Sequence, residues 1–256
     1  MKFITNLLKP RQPVVPDRMA ELEAKRERYA KVHPEAGRDA PSIFAVRERT
    51  YDNFHPSLDA FTFLKNYSKH GATEEQVAEM DASAQMWHDV CKGSEAARSQ
   101  LPSAIYLRED FKFPDPFPSI FVPGTRIFLV SGEVARIMRS HDMGEAALLP
   151  VTVHDNAGTT TYDQEVFILA PGTFRPTIKA TSPNLHRNRY SKALQFRLPT
   201  SEASEFKELI PLEQPQNASS IWWDRIIQWS FFVNEDLVRD LKSTRFEKDA
   251  ALIKVG

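Results

Sequence analysis

Cysteine is nearly absent. The one thiol, Cys91, excludes an internal disulfide, and with seven scattered histidines it leaves no Cys/His cluster at zinc spacing. A reducing compartment is the natural reading. Glycine is scarce too: none of the nine residues falls in a dinucleotide or phosphate loop, so a nucleotide cofactor has no visible cradle. No apolar run approaches the length of a membrane span, and the opening MKFITNLLKPRQP is broken by Asn6 and closed by Lys9-Pro10, too short for a signal-peptide core. The expected location is the cytoplasm. With a formal net charge of −1, no global field draws the chain to nucleic acid or a membrane. No G-x-S-x-G elbow flags a nucleophilic serine.

What is present is length, 256 residues, enough for one large domain or two small ones with a core that needs no staples. The neutral balance hides a local asymmetry. Val166 to Ser201 holds no Asp or Glu but carries Arg175, Lys179, Arg187, Arg189, Lys192 and Arg197, after which Glu202, Glu205, Glu208 and Glu213 reverse the sign. Such a pattern suits either a complementary partner or simply alternating solvated faces.

Residues 1–110 are expected to be a helical region. DRMAELEAKRERYAKV has Glu21/Lys25 and Glu27/Lys31 at i,i+4 spacing and a thin apolar edge of Met19, Leu22, Tyr29 and Val32, the pattern of an exposed surface helix. Thr73 and Gln76 form a capping box before Val77, Met80, Ala84, Trp87 and Cys91 on one face, which makes Cys91 a core residue rather than a nucleophile. Phe54, Leu58, Phe61 and Leu64 predict a short helix between the two. In FKFPDPFPSIFVPG four prolines disfavour a central strand, and Phe111, Phe113, Phe117 and Phe121 read as anchors onto the protein's own surface.

Beyond Arg126 strand signals dominate: RIFLV, AALLPVTV, QEVFILA, SKALQFRL, SFFV and AALIKV, with Asn156-Ala157-Gly158 as a turn. The fold class is α+β, with an α+β half over residues 111–256, in one continuous domain with the first region or beside it. Part of this half recurs. Placing Val233 on Val130 aligns SFFVNEDLVRDLKS with IFLVSGEVARIMRS, and after one inserted residue AALIKV falls on AALLPV. Each copy is a strand, a cap (Ser131 or Asn234), a short helix and a returning strand. Glu133 and Asp236 lie at the positive helix end, Arg139 and Lys242 at the negative end, and Val134 and Met138 answer Leu237 and Leu241 inside.

The order FLVS-x-E-V, A-A-L-L-P-V, a basic-polar segment, IWWDRIIQWSFFVNEDLVRDL and A-A-L-I-K-V resembles the eleventh immunity-protein family of bacterial polymorphic toxin systems. Trp222, Asp224, Phe232, Val233, Asn234, Asp236 and Leu237 fill the family's late pattern, with Asn234 where Ser is usual. The resemblance spans roughly Phe111 to Val255 and does not extend to the HRNRY segment or the amino-terminal part. It implies a non-enzymatic cytoplasmic antitoxin, free of cofactor and metal, that neutralises a cognate protein toxin by direct binding in interbacterial competition.

Arg187, Arg189 and Tyr190 in NLHRNRYSK, with Trp222, Trp223 and Asp224, are the candidate partner-binding residues, since Arg, Tyr and Trp are favoured interface anchors. If Ile221 to Trp229 is extended, Trp222 faces opposite Trp223 and Trp229, so Trp222 or Trp223 is expected to be partly exposed. The alternative is a nucleic-acid-binding accessory protein using the basic segment 175–197, its arginines on phosphates and His186 and Tyr190 on bases; a plain solvated loop is the third option. His141-Asp142 and His154-Asp155 lack the further ligands a metal site needs.

Overall fold

The computed structural model describes residues 16–32, 42–48, 61–66, 72–90, 94–109, 112–113, 115, 117–122, 128–183, 185–187, 196–198, 209–212, 219–228 and 230–255. In chain order the elements are α1 (Pro16–Val32), β1 (Ile43–Glu48), β2 (Phe61–Thr62), α2 (Glu74–Val90), α3 (Glu95–Arg98), β3 (Ala104–Leu107), β4 (Ile120–Phe121), β5 (Phe128–Ser131), α4 (Gly132–Arg139), β6 (Ala147–His154) and β7 (Val166–Ala170). They continue with β8 (His186–Arg187), β9 (Phe196–Arg197), β10 (Ile221–Trp222), β11 (Ile227–Gln228), β12 (Phe231–Asn234), α5 (Glu235–Leu241), α6 (Phe246–Asp249) and β13 (Ala250–Val255). The chain is a mixed α+β protein.

One sheet has the order β10-β12-β1-β13, a second β2-β3-β6-β7-β5-β4, and a small third β11-β9-β8. Alternation along the strands sends successive side chains to opposite faces, and both faces of the two larger sheets are covered. Phe231, Val233, Val46 and Ile221 join Phe128, Val130, Phe167 and Leu169 in a central core, together with Val134, Met138, Leu237 and Leu241 from α4 and α5. The opposite faces feed two outer cores, one holding Ile43, Ala45, Trp222 and Phe232 and the other Phe121, Leu129, Val166 and Ile168. Strands buried on both sides read as unbroken apolar runs, which is why VFILA and FFV lack alternation.

Helix α2 opens as its sequence predicts: Gln76 N donates to Thr73 Oγ1 at 3.2 Å and Thr73 N to Gln76 Oε1 at 3.0 Å. Phe113, Phe117 and Phe121 pack inward, Phe117 stacking on Tyr162 at 4.5 Å, so the proline-rich segment anchors on its own protein; Phe111 lies outside the described residues. Three expectations need correction. Phe61 and Thr62 are a strand beside Leu107 and Tyr106, where a helix was expected; residues 54–60 lie outside the described set. The first region is not simply helical, because β1 stands between β12 and β13 and β3 pairs with β6, so the sheets cross the 110/111 boundary. IFAVRE supplies the apolar middle strand that β12 and β13 need, a long-range demand no local pattern reveals. Finally, α1 is not only a surface helix: Glu21 and Lys25 pair at 3.0 Å in solvent, but Arg26 is buried.

The two segments aligned in the sequence pair with their middle strands in matching register. Ser131 and Val151 both lie opposite Val166, while Asn234 and Val255 both lie opposite Ile43. One residue along, Val130 and Pro150 flank Phe167, and Val233 and Lys254 flank Phe44. Ile120 opposes Val130 just as Ile221 opposes Val233. The equivalent Phe128 and Phe231 meet edge to face at 4.8 Å in the central core. Ser131 Oγ accepts from Val134 N at 3.5 Å, and Asn234 Oδ1 from Leu237 N at 3.0 Å. Asn234 also donates to Ser220 Oγ at 3.2 Å. Asn234→Ala is therefore expected to lower stability by about 1–2 kcal/mol, read from the urea midpoint; an unmoved midpoint would rule out the cap as a stabilising contact.

Candidate functional site

The Ile221–Trp222 strand and the two residues after it were the most distinctive stretch of the sequence, and they form the middle of a buried polar network. Strand β10 pairs with β12 at Ile221↔Val233 and Trp222↔Phe232. The expected alternation holds: Trp223 enters the central core and Trp222 the outer one. The expected exposure does not, for Trp222 is 2% and Trp223 7% accessible. An extended Trp-Trp pair leaves one ring in water only if one sheet face is bare, and here both are covered. Trp229 lies outside the described residues.

Asp224 is 2% accessible and collects donors on both oxygens. Arg26 NH1 donates to Oδ1 at 2.9 Å and its NH2 to Oδ2, a two-pronged guanidinium–carboxylate contact. Thr177 N donates to Oδ2 at 2.8 Å and Ile226 N to Oδ1 at 3.2 Å. The second prong of Arg26 also reaches the carbonyl of Ile178. Beside this pair Trp222 Nε1 donates to Thr177 Oγ1 at 2.8 Å, and the buried guanidinium of Arg175 lies 3.7 Å from the Trp222 ring centroid while donating to Ser219 O at 2.9 Å. Burying the Arg26 and Asp224 charges is tolerable because each meets the other and takes further hydrogen bonds.

This arrangement redistributes the candidate partner-binding residues. Trp222, Trp223 and Asp224 are brought together, inside the protein. Arg187 is in β8, opposite Phe196, but its side chain, together with Arg189 and Tyr190, lies outside the described residues. The basic run 175–197 is not one surface: Arg175 is buried, and Lys179 lies 3.7 Å from Glu27 of α1. Arg26 was missed by the sequence reading, although a signal was present. Met19, Leu22, Arg26 and Tyr29 recur at helical spacing, so a lone arginine occupies the thin apolar edge.

His141 and His154 each meet a neighbour in the fold. His141 Nε2 contacts Asp240 Oδ2 at 2.9 Å and ties the end of α4 to α5. The ring of His154 stacks on Tyr106 at 5.3 Å. Among the described residues, no group of three His, Cys, Asp or Glu side chains gathers as a metal ligand set. Among them, too, no helix is long and apolar enough to cross a membrane.

Asp155 anchors the Asn156-Ala157-Gly158 turn, where Gly158 has φ +69°. Its carboxylate accepts from Thr159 Oγ1 at 2.8 Å and Thr159 N at 2.7 Å, and the Thr159 hydroxyl first, then backbone donors, lower its pKa to about 2. A carboxylate depressed in the fold stabilises above its unfolded pKa, about 3.9, and loses that contribution as pH falls toward 2. Thr159→Val is expected to move the Asp155 titration midpoint, followed by NMR, up toward the ordinary value; a midpoint held near 2 would assign the shift to other groups.

By its layers the chain is an α+β protein, and Trp222, Trp223 and Asp224 lie in its interior. No protein-family model matches the chain, and no curated protein matches it.

Proposed function

We propose that the chain is a non-enzymatic immunity protein that neutralises a cytoplasm-acting bacterial toxin by binding it, and that its two strand–helix–strand segments are one unit used twice as a rigid scaffold. The observation that carries this reading is the shared register. The residues that resemble the immunity family, FLVS through AALLPV and SFFVNEDL through AALIKV, are the same residues that flank Val166 and Ile43 at equivalent positions. The resemblance therefore coincides with a unit of architecture, which supports it beyond a run of similar letters. A scaffold of this kind needs no chemistry of its own, and Arg187, Arg189 and Tyr190 remain the residues proposed to meet the partner.

The nucleic-acid alternative draws less support, because Arg175 is turned inward onto Trp222 and Lys179 lies beside Glu27. A tagged pull-down from the native cell, analysed by mass spectrometry and repeated across a salt series, separates the two. A stoichiometric protein whose retention changes little with salt supports the antidote. Recovery of nucleic acid alone, lost steeply as salt rises, supports the alternative.

A further inference from the structure

We propose that α1 is a removable strap and that the strand edge beneath it is a docking site for an extended, arginine-bearing segment of a partner protein. Residues 177–180 behave as a strand along one side: Leu212 N donates to Thr177 O at 2.8 Å, Lys179 N to Ile210 O at 2.8 Å, and Ile178 bridges Pro211. The alternate groups, Ile178 C=O and Ala180 N–H, point the other way, and side chains meet them. Arg26 donates to Ile178 O, and Glu23 Oε2 accepts from Ala180 N at 2.8 Å. A carbonyl and an N–H two residues apart are what a neighbouring strand satisfies with its own backbone. Helix α1 thus covers an edge that would otherwise invite pairing.

The cover fits imperfectly. Among the described side chains of α1, Met19 and Leu22 pack on the apolar cluster below, both partly buried. Glu23 Oε1 and Arg26 Nε are buried with no hydrogen-bond partner. A backbone strand would satisfy the same edge without either orphan.

Asp224 sets the chemistry of the replacement. With α1 lifted, its carboxylate still accepts from Thr177 N, Ile178 N and Ile226 N, so it stays in place. A strand laid beside Ile178 must therefore bring a cation, and two oxygens already engaged by a planar fork favour arginine over lysine. The partner's identity rests on the protein-binding reading; the opening of the strap does not.

Hydrogen exchange on the full chain tests the strap without a partner. The Ala180 amide is expected to exchange about tenfold or more faster than the β7 and β12 amides, through local opening. Arg26→Met should speed Ala180 exchange by a further factor of about ten, and the β7 and β12 amides by no more than the same factor, so that Ala180 stays the faster in both proteins. Exchange of Ala180 only through global unfolding would overturn the strap. The docking site is then tested with a labelled peptide TVTRVTV and its control TVTQVTV. The arginine peptide should bind the Arg26→Met protein about tenfold tighter than the wild type, and about tenfold tighter than the control binds. Equal binding of the two peptides, or no binding to an opened strap, would overturn the docking site and leave the protein-binding reading intact.

Discussion

Asp224→Ala is expected to cost about 3–5 kcal/mol of folding stability, because it leaves the Arg26 guanidinium buried without its counter-charge. The loss is compounded by three backbone donors, Thr177 N, Ile178 N and Ile226 N, that lose their acceptor in the interior. Against the 5–15 kcal/mol that separates a folded domain from its unfolded chain, this is about a fifth of the total or more. Arg26→Ala should cost less, since the carboxylate it strands keeps those same three donors and can admit water once the side chain is gone. Urea denaturation of both variants gives the ordering directly. A loss below about 1 kcal/mol in Asp224→Ala, or a larger loss in Arg26→Ala, would mean that the pair is not the electrostatic anchor described here.

Gly172→Ala is expected to destabilise by about 3 kcal/mol or more, lowering the thermal midpoint by roughly 8 °C. A Cβ built there lies 2.0 Å from both the carbonyl carbon and the oxygen of Glu145 and 2.4 Å from Ala146 N, so it meets backbone, which cannot rotate away. The crossing is also pinned. Glu145 N donates to Thr173 Oγ1 at 3.0 Å, and Arg98 donates to the carbonyls of Glu145, at 2.9 Å, and Pro171. Making room would pull apart the ends of β6 and β7 where Ala147 faces Ala170. A variant within about 0.5 kcal/mol of the parent would show that the two loops slide past one another freely.

Much of the architecture could be read from the chain. Short apolar strands, the Ser131 and Asn234 caps, the capping box at Thr73 and the inward faces of α4 and α5 are local signals, and each has its expected neighbours. What escaped was long-range. Strand β1 looks like any apolar run until β12 and β13 are placed on either side of it. The burial of Trp222 and Trp223 depends on a second layer over each sheet face, which no periodicity reports. Arg26 finds Asp224 across 198 residues, and a charged residue on a polar helix gives little warning that it will be buried. At Trp222 to Asp224 the chain marked out distinctive residues but not their burial, because aromatic and charged residues serve interfaces and interiors alike.

If this chain binds and silences a protein toxin, as proposed, cell growth reports it. The protein encoded beside it is expressed alone and together with this chain. The expected result is arrest by the neighbour alone, rescue on co-expression, and a stoichiometric complex recovered from the rescued cells. A neighbour that is harmless alone, or toxicity that persists although this chain is present and folded, would contradict it.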